Sequence, residues 1–482
     1  MPTPAADANL LIALLGCLAT ALAATVIVVQ MRRGKFFTLL TFYSALFLIE
    51  SVGGAIKALF PDAFVEYSSP YADNVLPWVP QALAVSLAGF AFFLFGYLCV
   101  ASLIRTRPFE LDLTTEQFFE RWWTPGFKRL LMLVTVLSLA AGFVQHLARI
   151  RAAGGFAEFL SSAYTFRFGT ATQSASDTAI VVVGSMIGAT AVPLMIMWII
   201  AWFRHRLTSF EKLFVSAALI TLLIRQLSTM FRSVLILTLI SLFAAYASER
   251  RLKVVRWIAV GVAIAAILVA ANFVHYEFYY LTGGWDKPGF LSSMSYLVAP
   301  QDHVYTLAHI LATARSTPRL GGSGLLESFF FFVPRTVWHS KLDSSMYGTQ
   351  AVQAWAGLPT YYQMAITAVG EWVAHFGRIG MVGMTLFGIL YAVLDAFAGR
   401  GVVGRALLFG WMLQRVLVDG GMGMSAIAIS IVVDSVFLAE ICGLFVLVLL
   451  ARHLGGARRQ GVNRANSRER RRRLSADVYM SE

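Results

Sequence analysis

The segment Pro334-Arg335-Thr336-Val337-Trp338-His339-Ser340-Lys341 places a guanidinium, an ammonium, an imidazole and an indole within eight residues. Thirty residues on, Gly370-Glu371 adds a carboxylate and Phe376-Gly377-Arg378-Ile379-Gly380 a second guanidinium. Arginine presents a planar fork of donors that matches phosphate oxygens in pairs, and it keeps its charge in a poorly hydrated site. A nearby carboxylate or imidazole can take a proton or stabilise a developing positive centre, as group transfer to a hydroxyl requires. Further arginines are Arg149, Arg151, Arg167, Arg225, Arg232, Arg315, Arg319 and Arg415. Together they suit a bulky anionic, lipid-linked substrate. Taken singly, each has the alternative of an interfacial anchor or an ion-pair partner. For Glu371, at the end of an amphipathic stretch, the alternative is a pairing with Arg378.

The elements that must hold these groups are membrane helices. Of 482 residues, 58% are hydrophobic and 13% charged, against roughly 25% charged in soluble domains. Apolar runs near the length of a membrane span recur at 9–30, 36–58, 80–103, 130–148, 178–203, 213–229, 232–248, 256–275, 379–397, 405–420 and 424–451. The sequence therefore predicts an all-α, polytopic membrane protein of eleven transmembrane helices. Residues 1–451 read as one integral membrane domain, and 452–482 as a basic, disordered cytoplasmic tail.

Charge distribution orients these spans. Of 39 lysines and arginines, 26 fall at 32–35, 105–129, 204–212, 250–256, 400–405 and in the tail. The positive-inside rule puts those segments in the cytoplasm, the N-terminus outside and the C-terminus inside. The net charge of +13 is concentrated in the tail, where anionic lipid headgroups, not nucleic acid, are the expected partner. No basic segment precedes the first apolar run, so 10–30 is expected to stay as a span and not to be cleaved as a signal peptide.

Residues 213–248 are about 36 in number, enough for two minimal spans or one long kinked helix. Basic residues at both ends favour a hairpin. Its bend then carries Gln226, Ser228, Thr229 and Arg232 at the outer surface with Arg225 just below, a functional position by default unless Arg225 snorkels to the interface. The largest outer loop, 276–378, is aromatic and helical in pattern. One helix is predicted near 290–314, stopped by Ser316-Thr317-Pro318 and Gly321-Gly322, and a second at 360–376. Both are expected to lie on the membrane as short interfacial helices capping a cavity between the spans.

Several chemistries lack their residues. Cys17, Cys99 and Cys442 lie in apolar runs without CxxC spacing. His303, His309, His339 and His375 have no HExxH or comparable spacing, so no metal site is expected. No P-loop, GxGxxG or GxSxG motif is present, so a nucleotide-driven pump and a serine hydrolase are unsupported.

Pro334-Arg335, Trp338 and Lys341, then Gly348, Gly370-Glu371 and Phe376-Gly377 with Gly380, resemble the Wzy-type O-antigen and oligosaccharide repeat-unit polymerases of bacterial envelopes. Phe231-Arg232-Ser233, the stretch Tyr164-Thr165-Phe166-Arg167-Phe168-Gly169 and the order of spans and loops carry the resemblance over nearly the whole chain. One departure is Leu342, where the family often has proline after the lysine.

The resemblance implies a GT-C-like glycosyltransferase of the bacterial inner membrane working on the periplasmic face. Its donor and acceptor would both be undecaprenyl-pyrophosphate-linked glycans, without metal or cofactor, and a chain-length regulator is a further expected partner. The catalytic residues it implies are Arg335, Glu371 and His339. Those expected to hold pyrophosphate and substrate are Arg232, Lys341, Arg167, Arg415, Arg225, Arg378 and Trp338. The competing readings are an O-antigen ligase-like transferase, a transporter or flippase of an anionic lipid-linked solute, and a structural scaffold. Transporters usually carry internal repeats, which are not evident here.

Overall fold

A computed structural model describes residues 4–33, 38–60, 75–104, 115–152, 154–155, 187–188, 190–228, 232–249, 303–322, 352, 355–357, 366–398, 402–407 and 409–410. Among the described residues every regular element is helical: α1 (Pro4–Arg32), α2 (Leu39–Leu59), α3 (Val79–Ile104), α4 (Thr115–Trp122), α5 (Pro125–Ala152), α6 (Ala191–Phe203), α7 (Ser209–Ser228), α8 (Arg232–Glu249), α9 (His303–Ser316), α10 (Ala368–Phe376), α11 (Met384–Ala398) and α12 (Val402–Leu407). Short 3₁₀ turns, Leu76–Trp78 and Gly377–Gly383, lead into α3 and α11. Among the described residues, five helical stretches are long and apolar enough to cross a bilayer: Asp7–Arg32, Leu39–Leu59, Leu76–Ile104, Pro125–Ala148 and Ala368–Ala396. By length and composition the chain is a membrane protein. The expected spans at 256–275 and 424–451 lie outside the described residues.

The helices form two packed groups. In the first, α2, α3 and α11 meet through rings. Phe47 stacks on Phe90 at 4.1 Å, Tyr43 lies tilted 4.2 Å from Phe93, and Tyr391 meets Phe93 edge-on at 5.3 Å, the last a geometry that aromatic quadrupoles favour. Between α3 and α11 the approach is closer still. A Cβ on Gly96 would overlap the carbonyl of Thr385, and one on Gly388 the carbonyl of Phe93. Small residues at such seams let helix backbones touch where lipid provides no hydrophobic drive for association.

Asp395 ties three helix ends of this group together. Its Oδ1 accepts from Leu39 N–H at 2.8 Å, and its Oδ2 accepts from Leu40 N–H at 3.4 Å and from the Tyr97 hydroxyl at 2.7 Å. A carboxylate at the orphan amides of α2 satisfies donors that have no partner within the helix and complements its dipole. The N-terminal end of α2 and the C-terminal ends of α3 and α11 therefore lie together.

In the second group, fully buried Trp198 of α6 donates Nε1–H to Thr135 Oγ1 of α5 at 3.1 Å, and Ser138 of α5 bonds Thr190. At one end, the Glu116 carboxylate of α4 bridges Arg204 at 3.0 Å and Arg206 at 3.2 Å. Thr208 and Glu211 open α7 as a reciprocal capping box: Glu211 Oε2 accepts from Thr208 N–H at 2.8 Å and Thr208 Oγ1 from Glu211 N–H at 3.3 Å. Lys128 pairs with the same carboxylate at 3.0 Å. Burial alone would raise the Glu211 pKa, but the Thr208 amide and the Lys128 ammonium outweigh it and hold the carboxyl below its ordinary value.

Helices α7 and α8 run as a hairpin, as the charges flanking 213–248 predict. The Phe203 ring, at the C-terminal end of α6, lies 4.8 Å from Tyr246 near the C-terminal end of α8. Only 204–208 separate α6 from α7, so α8 returns to the level at which α7 begins. A single kinked rod would carry Tyr246 about 50 Å away, at 1.5 Å per residue. Short α12 packs on both α6 and α11 and links the two groups.

Candidate functional site

At the end of the first group opposite Asp395, α9 packs against α10, α2 and α3, and α10 packs against α3. The stop predicted at 316–322 is present, with Gly321 at φ +65° and Gly322 at φ +83°. The expected surface helix is instead a core one, since His303 to Ala308, Ile310 and Leu311 of α9 are all buried. Its sequence is apolar around most of its circumference, so one buried face cannot satisfy it.

Local chemistry fixes α10 at both ends. Thr367 accepts from Gly370 N–H at 3.1 Å as the N-cap. Gly377 closes the helix at φ +71°, ψ −160°, backbone that only glycine takes readily. The chain leaving α9 then covers the last carbonyls, with Leu320 N–H donating to Ala374 O at 3.3 Å and Gly321 N–H to His375 O at 3.2 Å. Gly380 gives room for the Trp372 carbonyl, which a Cβ there would overlap.

Glu371 and His375, four residues apart and so on one face of α10, are 0% and 2% exposed. Arg378 is exposed and turns to α3, where the Gln81 side-chain oxygen, in its hydrogen-bonding orientation, accepts from Nε at 3.2 Å and Nη1 at 3.1 Å.

Two more guanidinium groups lie beside it. Arg315 of α9 stacks over the Trp78 ring at 4.7 Å, three residues before Gln81. Arg319 lies against Gly377, where a Cβ would come within 2.9 Å of its Cζ. Arg315, Arg319 and Arg378, all exposed, thus surround the turn into α3 and the exit from α10. Single-residue reasoning leaves Arg315 and Arg319 between a substrate contact and an interfacial anchor or ion pair; the missing signal is the cap of 320–321 on α10, which brings them to Arg378.

Arg225 occupies a second place. It is half-buried in α7, and its Nη1 donates to Gly188 O at 3.4 Å. Its guanidinium fills a notch at Gly142 of α5, where a Cβ would overlap Nη1. The side chain thus enters the helix junction and does not snorkel outward. Arg232 opens α8, and its side chain lies outside the described set. Arg335, His339, Lys341, Trp338, Arg167 and Arg415 lie outside the described residues. Among the described residues no group of three or more His, Cys, Asp or Glu side chains could hold a metal ion.

Sequence reasoning also passes over Glu50, Lys57 and Asp395, charged groups inside apolar runs, although such residues are costly in a bilayer and mark functional or interhelical contacts. Glu50 Oε1 lies 3.4 Å from Nε2 of His303, and Lys57, 4% exposed, places its Nζ 5.2 Å from the centre of the Tyr305 ring. No protein-family model matches this chain, and neither does any curated protein or solved structure compared with it.

Proposed function

We propose that the protein is a membrane glycosyltransferase that joins lipid-pyrophosphate-linked glycan repeat units on the outer face of the bacterial inner membrane, with eleven spans, a GT-C-like fold and a cytoplasmic C-terminus. The observation that carries this reading is the gathering of Arg315, Arg319 and Arg378 around the Trp78–Gln81 turn, at the end of the bundle away from Asp395. Three exposed guanidinium groups backed by aromatic and amide side chains fit a pyrophosphate, whose oxygens accept paired donors.

In the reaction, a hydroxyl of one lipid-linked glycan attacks the anomeric carbon of another. The bond from that carbon to the pyrophosphate oxygen breaks, and undecaprenyl pyrophosphate leaves with its charge held by arginines. Arg378 belongs to the described patch. Arg335, Lys341, Trp338, Arg232, Arg167 and Arg415 are assigned to the same substrates from the family resemblance, and Arg225 from its place at membrane depth. His339 is the proposed acceptor of the hydroxyl proton. Glu371 is wholly enclosed, so its proposed role is to orient α10 and not to touch substrate.

Purified protein incubated with lipid-linked repeat units should yield longer lipid-linked products, resolved as a ladder by mass. A folded protein that gives no ladder overturns the reading. Transfer of finished glycan to a different lipid acceptor would identify a ligase instead.

A further inference from the structure

Glu50, Gly54 and Lys57 lie on one face of α2, at spacings of four and three residues. Three consecutive residues of α9 meet them. His303 Nε2 is 3.4 Å from Glu50 Oε1. Val304 enters the gap at Gly54, where even an added Cβ would come within 2.7 Å of the Val304 Cβ. The Tyr305 ring receives the Lys57 ammonium at 5.2 Å. His303, Val304 and Tyr305 are each 4% exposed. Acid, notch and base are thus matched in order to imidazole, branched alkyl and ring, and a shift of α9 by one residue in either direction would break all three matches.

We propose that this face of α2 is a receptor for the start of α9, and that Glu50 and Lys57 are positioning residues for the arginine patch at the other end of the same helix. The proposal rests on the glycosyltransferase reading for the identity of the ligand, a lipid pyrophosphate. Arg315 lies about 15 to 18 Å along α9 from the receptor, at 1.5 Å per residue. A rotation of the helix at its first turn therefore removes Arg315 from Trp78, and carries the following Arg319 away from Gly377. Polar groups at this depth are costly without contacts, and the Glu50–His303 and Lys57–Tyr305 contacts both form in this register.

The test uses the full chain with Cys17, Cys99 and Cys442 replaced by serine. Gly54→Cys with Val304→Cys should form a disulfide under mild oxidation, since the two Cβ atoms need to separate only slightly to reach disulfide geometry, roughly 3.8 Å. Glu50→Gln with Lys57→Met should lower that cross-link yield severalfold. The same pair of changes, with native Gly54 and Val304, should weaken binding of undecaprenyl pyrophosphate in detergent about tenfold. In chain extension it should raise the donor KM by a similar factor while kcat changes less than twofold. The exchange Glu50→His with His303→Glu, which restores an acid–imidazole pair in the opposite sense, should recover affinity where either single change does not. Unchanged affinity in a variant that has lost the cross-link overturns the positioning role. An unchanged cross-link overturns the receptor. If wild type binds undecaprenyl pyrophosphate and the variant does so tenfold more weakly, yet no chain extension occurs, the receptor stands and the polymerase reading falls.

Discussion

Asp395→Ala should destabilise the first helical group by on the order of 3 kcal/mol, and the structure supplies the reasons. The carboxylate accepts from the Tyr97 hydroxyl at 2.7 Å and from Leu39 N–H at 2.8 Å, with a longer contact to Leu40 N–H at 3.4 Å. Hydrogen bonds to a charged acceptor contribute about 1.5–3 kcal/mol, and a lost helix cap costs about 1 kcal/mol. Tyr97 is 7% exposed, so its hydroxyl would lose its acceptor without water to replace it, at about 1–3 kcal/mol. These costs overlap because one group serves all three donors, which is why they do not sum to their maximum. Asp395→Asn keeps an acceptor for Leu39 and should cost about 1 kcal/mol. Equilibrium unfolding in mixed detergent micelles would measure both variants. A double-mutant cycle with Tyr97→Phe isolates the hydroxyl, with an expected coupling of about 1–2 kcal/mol. If Asp395→Ala lies within about 0.5 kcal/mol of wild type, or if the two changes add without coupling, the carboxylate does not tie these helices together.

Three further outcomes are expected. Gly96→Ala forces a methyl group into the Thr385 carbonyl and should destabilise by about 2–3 kcal/mol through overpacking; wild-type unfolding would contradict the close helix seam. Gly142→Ala meets the end of the flexible Arg225 side chain, from Cδ to Nη1, so stability should change by less than about 1 kcal/mol. Chain extension should nevertheless fall about tenfold, because a displaced guanidinium loses its geometry, and unaltered extension would remove Arg225 from the site. The carboxyl of Glu211 is held below its ordinary value, so its stabilising effect is complete above the unfolded glutamate pKa of about 4.3 and lost as pH falls through the lower folded value. The stability gap between wild type and Glu211→Gln should therefore close on acidification through that window; a gap constant with pH would show that Lys128 and Thr208 do not hold the charged form.

What was legible in the sequence was local. Gly321-Gly322 and Gly377 announce the ends of α9 and α10 because positive φ is a property of one residue. The hairpin of α7 and α8 follows from charges on either side of an apolar run, since basic residues mark a common face. The interior position of α9 was not legible, because its receptor on α2 lies some 250 residues earlier and composition does not separate a helix lying on lipid from one enclosed by other helices. Asp395 was hidden for the same reason, with its partner amide 356 residues away. Averaging hydropathy over a span dilutes the single acid that pins its end. The arginine patch was half legible: Arg378 drew notice from its neighbours in sequence, whereas Arg315 and Arg319 reach it only through the fold.

The glycine seam between α3 and α11 has a consequence for motion. Packed helices slide past one another when interlocking side chains change rotamer, and that mechanism takes up shifts of an ångström or two. Where Gly96 faces the Thr385 carbonyl and Gly388 the Phe93 carbonyl, the backbones themselves touch and no side chain lies between them to readjust. The pair should behave as one stiff beam whose two strands keep their register through any working cycle. Relative movement of the two groups then falls outside this seam, at contacts such as those of α12 with α6 and α11.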